Sequence, residues 1–353
     1  MSTHIYLLKV KKIVRETADA VTVYFEQPSD QLITYKPGQF LTLILTVDGE
    51  KIRRAYSLCT SPFLGNDELG VTIKAVEKGK MSTYINKQLK EGDTLEVMEP
   101  MGNFTTSFDA NQKRHVVLIG GGSGITPLMS LALSLLNKES QTQVSLIYAN
   151  RNKESIIFYN QLEELQKSFS DRFRVAHILY TPPTTDWLGY SGLLREEVME
   201  QIMNQLSVSS SISTEYFICG PEPMMQRAME ILQKRNVSKE SIHKESFTAP
   251  TTTSVNVEPN EKIPHEVKVI YDGQEYKFVV PPGKTILATA LSNNIDLPYS
   301  CQSGLCTACR GKCLSGKVKL DEEEGLSDSE LREGYVLTCV GHPLTDDVVI
   351  EIG

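Results

Sequence analysis

Four cysteines carry the clearest chemistry in the chain. Cys301, Cys306 and Cys309 form a Cys-x4-Cys-x2-Cys loop, and Cys339 follows after 29 further residues. That is the spacing of a plant-type 2Fe–2S site. Each ferric iron of such a cluster takes two thiolates beside the bridging sulfides. Three ligands therefore wrap the cluster from one tight loop, and the fourth closes the cage from a distant strand. The small residues Ser303, Gly304 and Ala308 let backbone N–H groups approach the sulfurs, and such bonds tune the potential. Structural zinc is the other chemistry on offer, but zinc knuckles usually pair two short Cys-x-x-Cys units and this loop has one. Cys313, just beyond the loop, reads as a small buried residue rather than a ligand.

A second constellation is Gly120-Gly-Gly-Ser-Gly-Ile-Thr-Pro127. It follows the apolar run His115–Ile119 and opens a helical stretch, so backbone N–H groups at a helix N-terminus would face a pyrophosphate. Ile125 stands where the common Gly-x-Gly-x-x-Gly pattern has its third glycine, and the plainer reading is a tight structural turn. An acid ~20 residues after the glycines would bind an NAD ribose hydroxyl. The chain instead reads Tyr148-Ala-Asn-Arg151-Asn-Lys153. Arg151 and Lys153 could meet a 2′-phosphate, which favours NADPH over NADH; otherwise they form a solvated basic turn.

These residues need three kinds of scaffold, and the chain offers three segments. Residues 1–110 read as an antiparallel β-barrel: Val21–Phe25, Phe40–Leu45, Val71–Val76 and Thr94–Met98 are short strand-like runs punctuated by Pro37-Gly38 and Glu91-Gly92-Asp93. A short helix is expected over Thr83–Leu89 with Ser82 as its N-cap. Residues 111–248 alternate strands and helices, the pattern of a parallel α/β sheet. Residues 249–262, with three threonines and two prolines, read as a linker. Residues 263–353 open on the hairpin Val267–Tyr271, Asp272-Gly273, Tyr276–Val280, then a helix and the cysteine loop, an α+β, β-grasp-like domain.

Several short motifs resemble the ferredoxin–NADP reductase superfamily. Arg54-Ala-Tyr56-Ser57, with Pro62 after it, is similar to its flavin-binding Arg-x-Tyr-Ser motif. The resemblance implies that Arg54 grips the FAD pyrophosphate, Tyr56 packs on the isoalloxazine ring and Ser57 bonds near the reactive N5. Taken alone, the motif also fits a cationic strand with a core tyrosine. Gly79-Lys-Met81-Ser82 resembles the superfamily's phosphate motif. Pro37-Gly38-Gln39-Phe40 and Gly92-Asp93 with Pro100-x-Gly102-x-Phe104 match its barrel signatures. The glycine loop matches its Gly-Gly-x-Gly-Ile-Thr-Pro form, which implies that Gly121, Gly122, Gly124, Thr126 and Pro127 line the nucleotide, with Thr126 near the nicotinamide. Cys219-Gly220-Pro221 matches its second nicotinamide signature, placing Cys219 near hydride transfer; a small core residue at a strand end is the plainer reading. Phe247 of Glu245-Ser-Phe247 is expected to cover the flavin face, or else to anchor the linker.

Flavin barrel, nucleotide domain and C-terminal ferredoxin, in that order, resemble the family of phenylacetyl-CoA epoxidase reductase components. Tyr148-Ala-Asn-Arg151, Leu297-Pro-Tyr-Ser-Cys301 and Gly334-Tyr-Val-Leu-x-Cys339 carry the same likeness. The resemblance implies an oxidoreductase that passes electrons from NAD(P)H through FAD and the cluster to an oxygenase, a diiron enzyme. The reductase of another oxygenase, hydroxylase or desaturase, and a non-catalytic redox sensor, are the alternatives.

Composition agrees. The chain has 353 residues, 36 Lys+Arg against 44 Asp+Glu, and a net charge of −8. That disfavours a general nucleic-acid binder and an anionic membrane surface. No apolar run approaches the ~20 residues of a membrane span, and no signal peptide is visible, so a cytoplasmic, reducing setting is expected. Residues 263–353 hold 8 Lys+Arg and 14 Asp+Glu, or −6 of the −8. The run Asp321–Glu324 could steer a basic partner or simply face solvent.

Overall fold

Three sheets form, each from its own apolar pattern. The computed structural model describes residues 4–29, 31–47, 49–65, 68–183, 187–206, 213–247, 263–323 and 325–352. The expected linker, 249–262, and Glu324 lie outside the described residues.

The first sheet holds β1 (Ile5–Thr17), β2 (Ala20–Phe25), β3 (Phe40–Val47), β4 (Glu50–Ser57), β5 (Leu69–Lys74) and β6 (Thr94–Met101), in the order β4-β3-β6-β1-β2-β5. All its pairings are antiparallel. The sheet curls until its edges meet at the bridge Leu58–Val71, which closes a barrel filled by Leu8, Val23, Leu41, Leu43, Ile73 and Val97. Closure matters because it removes the exposed edges. Helix α1 (Lys80–Lys87) plugs one end, burying Met81 and Ile85. Its N-cap is Gly79, not Ser82. Ser82 lies inside the first turn, where its hydroxyl accepts the Val76 N–H at 3.1 Å.

The second sheet is parallel. It contains β7 (His115–Gly121), β8 (Gln143–Asn150), β9 (Phe173–Leu179), β10 (Tyr190–Ser191), β11 (Thr214–Cys219) and β12 (Ile242–Glu245), in the order β10-β9-β8-β7-β11-β12. Helices α2 (Ile125–Lys138), α3 (Tyr159–Ser168), α4 (Glu196–Gln205) and α5 (Glu222–Lys234) connect the strands. Strand order reverses at β7, so a crevice opens at the carboxyl ends of β7 and β11, where such sheets bind ligands.

A buried ion network ties barrel to sheet. Arg114, 1% exposed, forks onto Glu139 at 2.7 Å and reaches Glu215 at 2.6 Å. It also donates to the Thr106 hydroxyl and the Ser107 carbonyl, between β6 and β7. Replacing Arg114 by leucine strands a buried carboxylate, so we expect a loss of about 3–5 kcal/mol, read from a thermal or denaturant melt. Arg114→Lys should recover little, because an ammonium cannot serve both carboxylates and both loop acceptors at once. A leucine variant with an unchanged melt would refute this.

The third sheet has the order β14-β13-β19-β15-β17. Its strands are β13 (His265–Tyr271), β14 (Gln274–Val280), β15 (Arg310–Ser315), β17 (Tyr335–Leu337) and β19 (Val348–Ile352); β16 (Val318–Leu320) pairs separately with β18 (Gly341–Pro343). The expected hairpin forms, with Asp272 and Gly273 both at positive φ, as its two-residue turn demands. Helix α6 (Ile286–Ser292), capped by Thr285, packs on this mixed sheet, and α7 (Asp328–Arg332) precedes β17. The acidic run is not simply solvated: Asp321 meets His342 at 2.9 Å and Glu322 lies 3.9 Å from Lys244 of the second sheet.

Candidate cofactor sites

The cysteine cage assembles from two places. Cys301, Cys306 and Cys309 line the loop between α6 and β15, and Cys339 arrives just after β17. Their sulfurs are neighbours. Cys301 is held well below the usual thiol range by hydrogen bonds from Cys306 and Cys339. Cys306 and Cys339 are pushed far up, chiefly by the bond each gives Cys301. Protons alone thus let only part of the quartet ionise, and four thiolates here need a compensating cation. Such a donor set fits iron and sulfide. The Ser303 N–H reaches Cys301 Sγ at 3.4 Å. Cys313 is only half-buried; its thiol faces the Ser315 carbonyl at 3.1 Å.

One face of the cage opens on a cavity of about 220 Å³ lined from all three sheets: Phe40, Arg54 and Ser57 from the first, Glu245 and Phe247 from the second, Cys301 from the third. Tyr56 packs against the barrel core. Helix α1 is capped at Gly79, and its first turn points its backbone N–H groups out of the helix end, as first turns do. The Met81 side chain is barrel core, 2% exposed, so Met81 can serve a phosphate only through its backbone. A cavity of this size takes the reactive edge of a flat ring, and a helix N-terminus suits a pyrophosphate. The residues present fit a flavin dinucleotide.

Glu245 is the residue that sequence reasoning missed. It ends β12, opposite Cys219 in the register. It is 5% exposed, and the Ser57 hydroxyl points to its Oε2 at 3.4 Å. Burial, then the negative charge of Cys301, push its carboxyl up to about 8, against the lowering pull of Ser57. The available signal was a charged residue two places before an aromatic one, which in sequence looks like a solvated strand end.

The nucleotide crevice is built by close backbone contact. A Cβ on Gly124 would stand 2.0 Å from the Cys219 carbonyl oxygen, so this glycine lets the turn into α2 touch the end of β11. Gly122, at φ +53, has open space beside it, which suits an approaching phosphate. The Tyr148 hydroxyl pins the loop through the Gly122 carbonyl at 2.9 Å. Gly121 ends β7, and Gly220-Pro221 lead into α5 beside it. Thr126 and Pro127 are buried in the first turn of α2, where the Thr126 hydroxyl donates to the Ser123 carbonyl at 3.0 Å. Cys219 is fully buried, and burial, then Glu245, raise its thiol well above the usual range; it is a neutral thiol. Arg151 and Lys153 are exposed beyond β8, with the Lys153 ammonium 5.1 Å over the Tyr159 ring.

Family models place this architecture. An oxidoreductase FAD-binding domain matches residues 7–106, an oxidoreductase NAD-binding domain matches 118–230, and a 2Fe-2S iron-sulfur cluster binding domain matches 269–344. The chain is thus an iron–sulfur flavoprotein oxidoreductase with sites for FAD, a nicotinamide dinucleotide and a 2Fe–2S cluster. It is 36% identical to a component of the 1,2-phenylacetyl-CoA epoxidase of Escherichia coli, over 99% of this chain and 98% of that one. It is 33% identical to the ferredoxin reductase component of 3-ketosteroid-9-alpha-monooxygenase from Rhodococcus rhodochrous, over 98% and 96%. The fold matches phthalate dioxygenase reductase with a TM-score of 0.62 at 22% identity, covering 99% of this chain and 98% of that one. The chain belongs to the family of reductase components of oxygenases. Among the described residues no helix is long and apolar enough to cross a membrane.

Proposed function

We propose that this chain carries electrons from NADPH through FAD and a 2Fe–2S cluster to a cytoplasmic diiron oxygenase that acts on phenylacetyl-CoA. The observation that carries this reading is the cavity where Ser57, Glu245, Phe247 and Cys301 meet, because a flavin edge seated there would lie against a proposed cluster ligand. The 36% identity over nearly the whole chain supports the acceptor. The cluster-type spacing of four of the seven cysteines supports a reducing compartment.

FAD, when bound, would supply the conversion between the two-electron nicotinamide and the one-electron cluster. The chain's residues do the positioning. In this reading residues 1–110 hold FAD: Arg54 and the turn Gly79–Ser82 hold the pyrophosphate, Tyr56 packs on the ring and Ser57 orients its N5 edge. Residues 111–248 hold the nucleotide on Gly121, Gly122, Gly124, Thr126 and Pro127, with Cys219, Gly220 and Pro221 beneath the nicotinamide. Phe247 covers the flavin face until the nicotinamide displaces it. Residues 249–262 join this unit to the ferredoxin unit, 263–353.

Arg151 and Lys153 are assigned to the 2′-phosphate. Arg151→Ala should raise the KM for NADPH about tenfold, the worth of one charge-assisted hydrogen bond, and leave the KM for NADH unchanged; a wild-type preference for NADH would overturn the assignment. Anaerobic NADPH should bleach both flavin and iron–sulfur absorption, and the reduced protein should support turnover of phenylacetyl-CoA by the epoxidase oxygenase. Bleaching without turnover would favour a different oxygenase, as the 33% identity to the ketosteroid component allows. No bleaching would sink the reading.

A further inference from the structure

Strand β4 has two faces. Successive side chains of a strand point to opposite sides. Ile52 and Tyr56 turn to the barrel core, so Arg53 and Ala55 turn outward. The register sets Thr42 of β3 opposite Ala55 and Ile44 opposite Arg53, and Met98 of β6 opposite Thr42. An outward barrel face would ordinarily meet water. This one is covered by the cysteine loop: Cys306 and Ala308 are buried with Phe40, Ile44 and Met98, and Ala55, Met101 and Cys301 pack at the margin.

The polar contacts of this face converge on one segment. Arg53 Nη1 donates to the Leu297 carbonyl at 3.2 Å, and Nη2 meets Asp296 Oδ2 at 3.0 Å. Its guanidinium lies 4.9 Å over the Tyr299 ring. The Thr42 hydroxyl bonds that of Ser300. Thr42 is 0% and Ser300 3% exposed, and the Arg53 side chain only 12%. Residues 296–300 run straight into Cys301 and lie outside helix and strand, so these contacts help fix the segment's path.

We propose that Arg53 and Thr42 are positioning residues for the flavin-to-cluster step. They hold Asp296–Ser300, and through it the ligand Cys301, at a set place on the wall of the cavity. The inference rests on the assignment of that cavity to the flavin edge. Neither residue touches the nucleotide crevice, so the pair should act on the second electron-transfer step and not on the first.

The test uses cofactor-loaded Thr42→Val, Arg53→Met and Arg53→Lys proteins, with iron and flavin content measured so that rates refer to loaded protein. Stopped-flow with NAD(P)H separates flavin reduction from cluster reduction, and hydrogen exchange reads amide protection over 296–303. We expect flavin reduction to be unchanged in all three. Cluster reduction and amide protection should each fall about tenfold in Thr42→Val and Arg53→Met, the scale of one lost buried hydrogen bond. Arg53→Lys should restore part of both, because it keeps the charge facing Asp296 but not the fork or the stacking. Unchanged cluster reduction in both Thr42→Val and Arg53→Met would overturn the proposal. Absence of flavin reduction in the unaltered protein would be a failure of the functional reading instead, visible before any variant is compared.

Discussion

Replacing Cys339 by serine is expected to remove the cluster and end electron delivery, while NAD(P)H still reduces the flavin. The cage takes three sulfurs from one loop and the fourth from beyond β17, so Cys339, as the proposed fourth ligand, would join two separate parts of the ferredoxin unit. A serine oxygen is a hard donor and a poor substitute for thiolate on iron. Cys339 is 7% exposed, so it is largely shielded from solvent. Because a cluster binds the folded domain and not the unfolded chain, its loss should also lower the melting transition of residues 263–353. Iron analysis, visible absorption and electron paramagnetic resonance check the first claim, and acceptor reduction checks the second. Cys313→Ser is the matched control. Its thiol donates to the Ser315 carbonyl, a bond a hydroxyl can make, so iron content and electron delivery should be unchanged. A Cys339→Ser protein with full iron, or one that binds zinc alone, would break the assignment of the cage.

What could be read in the sequence was whatever depends on neighbours along the chain. The cysteine spacing, the glycine loop after β7, the Asp272-Gly273 hairpin and the apolar runs that became β3, β7 and β8 are local patterns, and the fold repeats them with boundaries shifted by a few residues. What depends on partners far along the chain was not legible. Ser82 looked like a cap because serine before a helical run normally is one, yet Val76 claims its hydroxyl and Gly79 takes the capping place. Strand β12 has four residues and no apolar alternation; it exists because Ile242–Glu245 pair with Tyr216–Cys219. Asp321 and Glu322 looked like part of a free acidic face until His342 and Lys244 were brought against them. Arg53 was overshadowed by Arg54, since only the strand register separates a flavin-side residue from its outward neighbour. Each miss is a long-range contact outweighing a local preference.

The second large effect is expected at Glu245, the carboxyl that pairing with β11 buries. Its folded pKa of about 8 stands above the ordinary value of 4.5. Between those two values the folded protein holds a proton that the unfolded chain has released, so stability falls as pH rises through that interval. The stabilising contribution is complete below the ordinary carboxyl range and gone once pH passes the folded value. Glu245→Gln cannot ionise, so its melting temperature should vary less over this interval, and above pH 8 the variant should melt several degrees higher than the parent. The same group sits against the Ser57 hydroxyl, which lines the cavity proposed for the flavin edge. A hydride would bring its own hydrogen to the flavin with the electron pair and call for no proton from the protein. When the electrons leave singly a proton must be released, and a Glu245 carboxylate could accept it through the Ser57 hydroxyl where a neutral carboxyl could not. Cluster reduction by the reduced flavin should therefore rise through an inflection near pH 8 in the parent. In Glu245→Gln that inflection should vanish, and above pH 8 cluster reduction should fall about 10²-fold, the lower end of what a positioned acid or base contributes. Stability and rate then move in opposite directions in one variant, which a merely structural glutamate would not produce. An inflection that survives in Glu245→Gln would place the titrating group elsewhere. A variant less stable than the parent above pH 8 would show that Glu245 is held there as a carboxylate, with a folded pKa brought down by partners rather than raised by burial.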